Sequence, residues 1–134
     1  MSLHILLVED ESTDRIIFES AQKHVAPDLK YSMAADGKDA LDMLNDGLAA
    51  DIILVDIRMP RLDGKSLIKH IRATEKIAAK PVIVMSTSDN PTEVRECYLN
   101  GANAYFVKPA GFDAYCQMLR RLLNFWNHTE MPSG

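Results

Sequence analysis

Glu9, Asp10 and Asp56 are the acids around which the chain's chemistry can be organised, because each group follows directly on a run of apolar residues. Ile5-Leu6-Leu7-Val8 ends in Glu9-Asp10, and Ile52-Ile53-Leu54-Val55 ends in Asp56. Such runs, rich in β-branched residues, read as strands buried on both faces. Two more runs end in side chains that donate: Val82-Ile83-Val84-Met85 in Ser86-Thr87, and Tyr105-Phe106-Val107 in Lys108. In an open parallel sheet the carboxyl ends of the strands share one rim, where ligands bind. That rim then carries three acids, a hydroxyl and one ammonium. Clustered carboxylates raise one another's pKa unless a cation joins them. An all-oxygen site of this kind suits Mg²⁺, and the lysine can grip an added phosphoryl group as a point charge. Taken singly, each acid is an ordinary turn residue and the lysine an ordinary surface one.

The elements that must position these residues alternate strand and helix five times. Ser12 can cap a helix along which Ile16, Ile17, Ala21, His24 and Val25 recur until Pro27. Leu29–Ala35 alternates apolar and polar residues, which suits an edge strand. Asp36-Gly37 is a turn, and Ala40, Leu41 and Leu44 mark the next helix. After Asp56 come Pro60 and Asp63-Gly64, which are loop chemistry; Leu67, Ile68 and Ile71 then give a third helix. Asn90-Pro91-Thr92-Glu93 predicts a capped helix start with an acid placed to reach back. Val94, Cys97 and Tyr98 line that helix, and Gly101 stops it. Phe112, Tyr115, Cys116, Leu119, Leu122, Leu123 and Trp126 make the apolar stripe of the last helix. The alternation predicts a parallel sheet with helices on both faces and right-handed crossovers.

Composition sets the class. The 134 residues are 47% hydrophobic and 25% charged with a net charge of -4, which fits one soluble domain and disfavours direct nucleic-acid binding. No apolar run approaches a membrane span, and no signal peptide opens the chain. Cys97 and Cys116 lack metal or redox spacing and read as reduced core thiols of a cytoplasmic protein.

Leu-Val-Glu-Asp at 7–10, Val-Asp at 55–56 with Met59-Pro60 behind, Asp63-Gly64, Ser86 closing the fourth strand and Tyr105-Phe-Val-Lys-Pro together resemble the receiver domain of bacterial two-component response regulators. The resemblance runs from about residue 4 to residue 127. It implies a flavodoxin-like, CheY-like α/β fold: a five-stranded parallel sheet, order 2-1-3-4-5, with five helices on both faces. The receiver domain would span residues 1–128, with 129–134 a disordered tail and no output domain.

By the same resemblance Asp56 is the phosphorylation site. Asp10 and Asp56 would hold Mg²⁺ directly, together with the backbone carbonyl of Arg58, while Glu9 acts mainly through bound water. Ser86 and Lys108 would contact the phosphoryl group, Ser86 and Tyr105 would form the switch, and Pro109 would follow a cis bond. The implied function is that of a phosphoacceptor switch, not an enzyme acting on other substrates. Its implied partners are a sensor histidine kinase, of phytochrome type by the character of the last helix, or a histidine phosphotransfer protein. A homodimer through the fourth helix, fifth strand and fifth helix is also implied.

Four residues depart from the family pattern: Thr87, Ala110, Gly111 and Arg58, the last able to salt-bridge an acid at rest. Two rival readings share parts of the pattern. A haloacid-dehalogenase-type phosphohydrolase wants a second Asp where Arg58 stands. A flavin-binding flavodoxin-like protein wants a hydroxyl-rich loop where Glu9-Asp10-Glu11 would repel phosphate.

Overall fold

The computed structural model describes residues 3–127; the expected tail at 129–134, and His128, lie outside the described residues. Strands β1 (His4–Val8), β2 (Lys30–Ala34), β3 (Ile52–Val55), β4 (Val82–Ser86) and β5 (Ala104–Val107) alternate with helices α1 (Ser12–Val25), α2 (Gly37–Asn45), α3 (Gly64–Ala73), α4 (Pro91–Asn100) and α5 (Phe112–Asn127). The strands form one parallel sheet in the order β2-β1-β3-β4-β5. The sheet order and the strand–helix alternation are those expected from the sequence.

The sheet divides the core into two layers because alternate side chains of each strand point to opposite faces. Leu6, Val8, Ile53, Val55 and Val84 meet α2, α3 and α4, while Ile5, Leu7, Leu54, Ile83 and Met85 meet α1 and α5. β3 and β4 are buried throughout, β1 is buried beyond His4, and β2 is only half-covered, as an edge strand should be.

Side-chain phase is where periodicity alone misplaced residues. In α1 the buried side chains are Phe18, Ala21 and Gln22, while Ile16 is 60% exposed. Two apolar stripes share Ala21, and the aromatic one wins because Phe18 buries more area against Tyr31 and the sheet. Ser12 begins the helix instead of capping it; Glu11 is the cap residue and makes no side-chain cap bond. In α4, Asn90 caps as expected, accepting from the Thr92 and Glu93 amides. Glu93 does not reach back to the cap: it pairs with Arg58. Tyr98 is half-exposed. Gly101 closes α4 at φ 116°, where a Cβ would be strained.

The expected cis bond before Pro109 is corrected: no cis peptide is found among the described residues, so Lys108–Pro109 is trans. Trans is the favoured isomer of X-Pro bonds by about 0.5–1 kcal/mol. With it, the Lys108 amide still donates to the Ser86 carbonyl at 2.7 Å, extending the β4–β5 ladder to the rim.

Candidate functional site

Strand register brings the predicted residues to one rim. Val8 pairs with Val55, Val55 with Val84 and Ser86 with Val107, so the residue after each strand emerges at a common level. Asp56 is fixed there by its amide, which donates to the Val8 carbonyl at 3.1 Å.

Lys108 is the centre of the arrangement. Its Nζ lies 2.7 Å from Glu9, 3.4 Å from Asp14 and 3.6 Å from Asp56. One carboxylate oxygen each from Glu9, Asp14 and Asp56 falls within 4.8 Å of the others. Asp14 is not among the residues that the sequence pattern singles out. Its signal was its place in the first turn of a helix that begins at the rim, four residues beyond Asp10.

The charges in this cluster are perturbed in a consistent direction. Burial pushes the Glu9 carboxyl up to about 7, against the hydrogen bond and charge of Lys108, which pull it down. Burial alone would lower the Lys108 ammonium, but Glu9, Asp56 and Asp14 outweigh it and hold the amine above its ordinary value. Glu9 is tied in further by the Glu11 amide at 3.3 Å, and Arg15 donates to the Glu9 and Asp10 carbonyls at 2.8 and 3.2 Å.

Asp10 stands slightly apart. Its carboxylate does not join the three-carboxylate group, and its Oδ1 is buried without a hydrogen-bond partner. It lines an open pocket of about 510 Å³ with Arg58, Met59, Asp63, Lys65 and Glu93. Arg58 is highly exposed and reaches Glu93 of α4 at 3.3 Å, the resting ion pair that an arginine at this position allows. The Ser88 hydroxyl and then Arg58 hold the Glu93 carboxyl below its usual range. A second cavity, about 200 Å³, opens beside Lys108 between Asp14, Ile17, Thr87, Phe112 and Tyr115.

Two loops frame the acids. The segment after Asp56 is pinned at Arg61, whose guanidinium grips Asp36 at 2.5 and 3.1 Å and Asp39 at 2.7 Å. Gly37 and Gly64 let that segment approach closely: a Cβ at Gly37 would lie 2.2 Å from the Leu62 carbonyl oxygen, and one at Gly64 2.5 Å from that of Asp56. In the loop after β4, the buried Ser86 hydroxyl accepts from the Ser88 amide at 3.1 Å, and the Tyr105 hydroxyl donates to the Ser88 carbonyl at 2.6 Å. Both predicted switch residues thus converge on Ser88.

A buried lysine among three carboxylates, with an unpartnered fourth carboxylate oxygen beside them, fits a hard divalent cation bound by oxygens. It also fits capture of a phosphoryl group by the lysine.

Comparison with known proteins agrees with this chemistry. Residues 5–120 match the family described as the response regulator receiver domain. The phosphorylated cyanobacterial phytochrome response regulator RcpA superimposes with a TM-score of 0.90 at 26% identity, over 99% of this chain and 100% of that one. Response regulator RPA3017, from red light signalling in R. palustris, does so with a TM-score of 0.90 at 30% identity, over 98% and 99% of the two chains. The Mn²⁺-bound form of response regulator Rcp1 gives 0.85 at 25% identity, over 98% and 99%.

Proposed function

The chain belongs to the response regulator receiver domain family, and on that footing we propose that Asp56 is its phosphoacceptor, fed by a sensor histidine kinase or a histidine phosphotransfer protein. The observation that carries this reading is the placement of Asp56 at the end of β3, 3.6 Å from the buried Lys108 ammonium. A carboxylate oxygen of Asp56 forms the new P–O bond as the P–N bond to the donor histidine breaks. The electron pair stays on the imidazole nitrogen, which takes up a proton. Phosphoryl transfer asks a protein mainly for positioning and charge neutralisation. Lys108 meets the second need, and the Val8–Asp56 bond and the Arg61 strap meet the first.

Asp10, Asp56 and the Arg58 carbonyl, with Glu9 through water, would hold Mg²⁺. The unpartnered Asp10 oxygen, and Glu9 and Asp56 carboxylate oxygens within 4.8 Å of each other, support this. The ion, when bound, supplies further neutralisation of the phosphoryl oxygens.

Acyl phosphate on Asp56 adds about two negative charges and strong acceptors. The Ser86 hydroxyl accepts from the Ser88 amide and keeps its own O–H to donate to them, so its turning toward the phosphoryl group pulls on the residue that holds the Tyr105 hydroxyl. New charge-assisted bonds of roughly 1.5–3 kcal/mol each approach the ~5.5 kcal/mol that inverts a 1:99 equilibrium. The face that would respond is α4–β5–α5, where Tyr98, Leu99 and Val107 are 47%, 74% and 47% exposed. A partner or a second copy docking there is part of this reading, checked by light scattering with and without phosphorylation. The likeness to RcpA and RPA3017 supports a kinase of phytochrome type.

Incubation with acetyl phosphate and Mg²⁺ should add the mass of one phosphoryl group. The reading fails if Asp56→Asn gains the same mass.

A further inference from the structure

Asp14 is the one member of the lysine's carboxylate shell to which the receiver motif gives no role. We propose that Asp14 is a charge brake on the site: it competes with the incoming phosphoryl group for Lys108 and so slows phosphorylation by anionic donors. This rests on the reading of Asp56 as acceptor.

An ammonium has three N–H donors, and here three carboxylates surround it, at 2.7, 3.4 and 3.6 Å. Only Glu9 and Asp14 lie within hydrogen-bond distance, so a phosphoryl oxygen on Asp56 competes with those two for the ammonium's donors and charge. Glu9 is held at the shortest distance and its side chain is only 3% exposed. Asp56 is the nucleophile and must stay. Asp14 is the weaker partner, its side chain 38% exposed and its contact 3.4 Å. It is therefore the group that yields.

Its charge also acts where Lys108 meets solvent. Asp14 lines the 200 Å³ cavity together with Lys108, Thr87, Phe112 and Tyr115. A dianion drawn to the ammonium meets the field of the Asp14 carboxylate 3.4 Å from it. Of the neighbouring cations, Arg58 is drawn to Glu93 and Arg15 is engaged by the Glu9 and Asp10 carbonyls. An acid in the first turn of α1 also suits the helix dipole, but that role is read by stability and not by a donor-dependent rate.

The test compares the native chain with Asp14→Asn and Asp14→Glu at saturating Mg²⁺, following phosphorylated mass against time. The donors are acetyl phosphate and phosphoramidate, which carries less negative charge. Asp14→Asn should label roughly two- to fivefold faster with acetyl phosphate, the size of a partly solvated ion pair. The gain should be smaller with phosphoramidate and should shrink at high salt. Asp14→Glu, which keeps the charge, should restore the native rate. Equal or slower labelling of Asp14→Asn overturns the proposal, as does an equal gain with both donors. A tenfold or greater loss of Mg²⁺ affinity in Asp14→Asn also overturns it, because Asp14 would then be a metal ligand. Failure of the native chain to label at all overturns the acceptor reading and this proposal with it.

Discussion

Replacing Gly64 by alanine tests whether the backbone behind Asp56 is as tightly set as the site requires. Gly64 is the first residue of α3, where alanine's lower unfolded-state entropy would ordinarily stabilise by up to about 1 kcal/mol. The structure reverses that sign. The added Cβ would lie 2.5 Å from the Asp56 carbonyl oxygen, 2.8 Å from the Ile57 Cα and 3.0 Å from the Val55 Cγ1. Normal carbon contacts begin near 3.5 Å, so a shift of roughly 1 Å is needed. The first two obstacles are backbone, and they are fixed by the Asp56 amide on Val8 and the Gly64 amide on the Ile57 carbonyl. Overpacking of this kind costs about 1–3 kcal/mol or more, which leaves a net loss of roughly 1–2 kcal/mol. For a domain of this size that is a fall in Tm of about 4–8 °C. The chemistry should suffer more than the stability, because a misplacement of about 1 Å can cost two orders of magnitude in rate. Calorimetry and acetyl phosphate labelling of Gly64→Ala measure the two effects. A Tm at or above the native value with unchanged labelling would show that the loop yields freely and refute the reasoning.

Glu9 gives a pH dependence of definite sign. Its folded pKa of about 7 lies above the ordinary 4.5, so the folded state holds a proton that the unfolded chain releases first. This contribution to stability is complete below about pH 4.5 and is lost as the pH rises through about 7, at up to ~1.4 kcal/mol per pH unit. Urea titrations of the metal-free protein should show the decline, and Glu9→Gln should flatten it. Arg72 donates to the carbonyls of Gly101, Ala78 and Lys80 and to Asn103, between 2.6 and 3.0 Å. Arg72→Ala should cost roughly 2–4 kcal/mol by urea denaturation, with labelling of the folded protein unchanged, because these contacts join α3 to the rim opposite the acids. Asp36→Ala should loosen Arg61, a non-glycine residue at φ 64°, leaving it Asp39 alone, and speed hydrogen exchange at the Gly37 amide, which donates to Leu62. Unchanged exchange there would show that the strap does not hold the loop.

The sequence by itself determined the sheet and the placement of its functional ends. Doubly buried strands announce themselves as continuous apolar runs, and the first polar residue after each run must leave the sheet. Glu9, Asp56 and Lys108 were legible for that reason, and the motif spacing made the family legible with them. What only the tertiary structure decided are contacts between segments remote in sequence. Asp14 meets Lys108 across 94 positions and Arg61 meets Asp36 across 25. Such pairs depend on how a helix rotates against the sheet, which periodicity leaves open by one residue in either direction. The same freedom turned Phe18 inward and Ile16 outward in α1. The raised pKa of Glu9 is likewise a tertiary property, since burial, which no single residue type encodes, is what raises it.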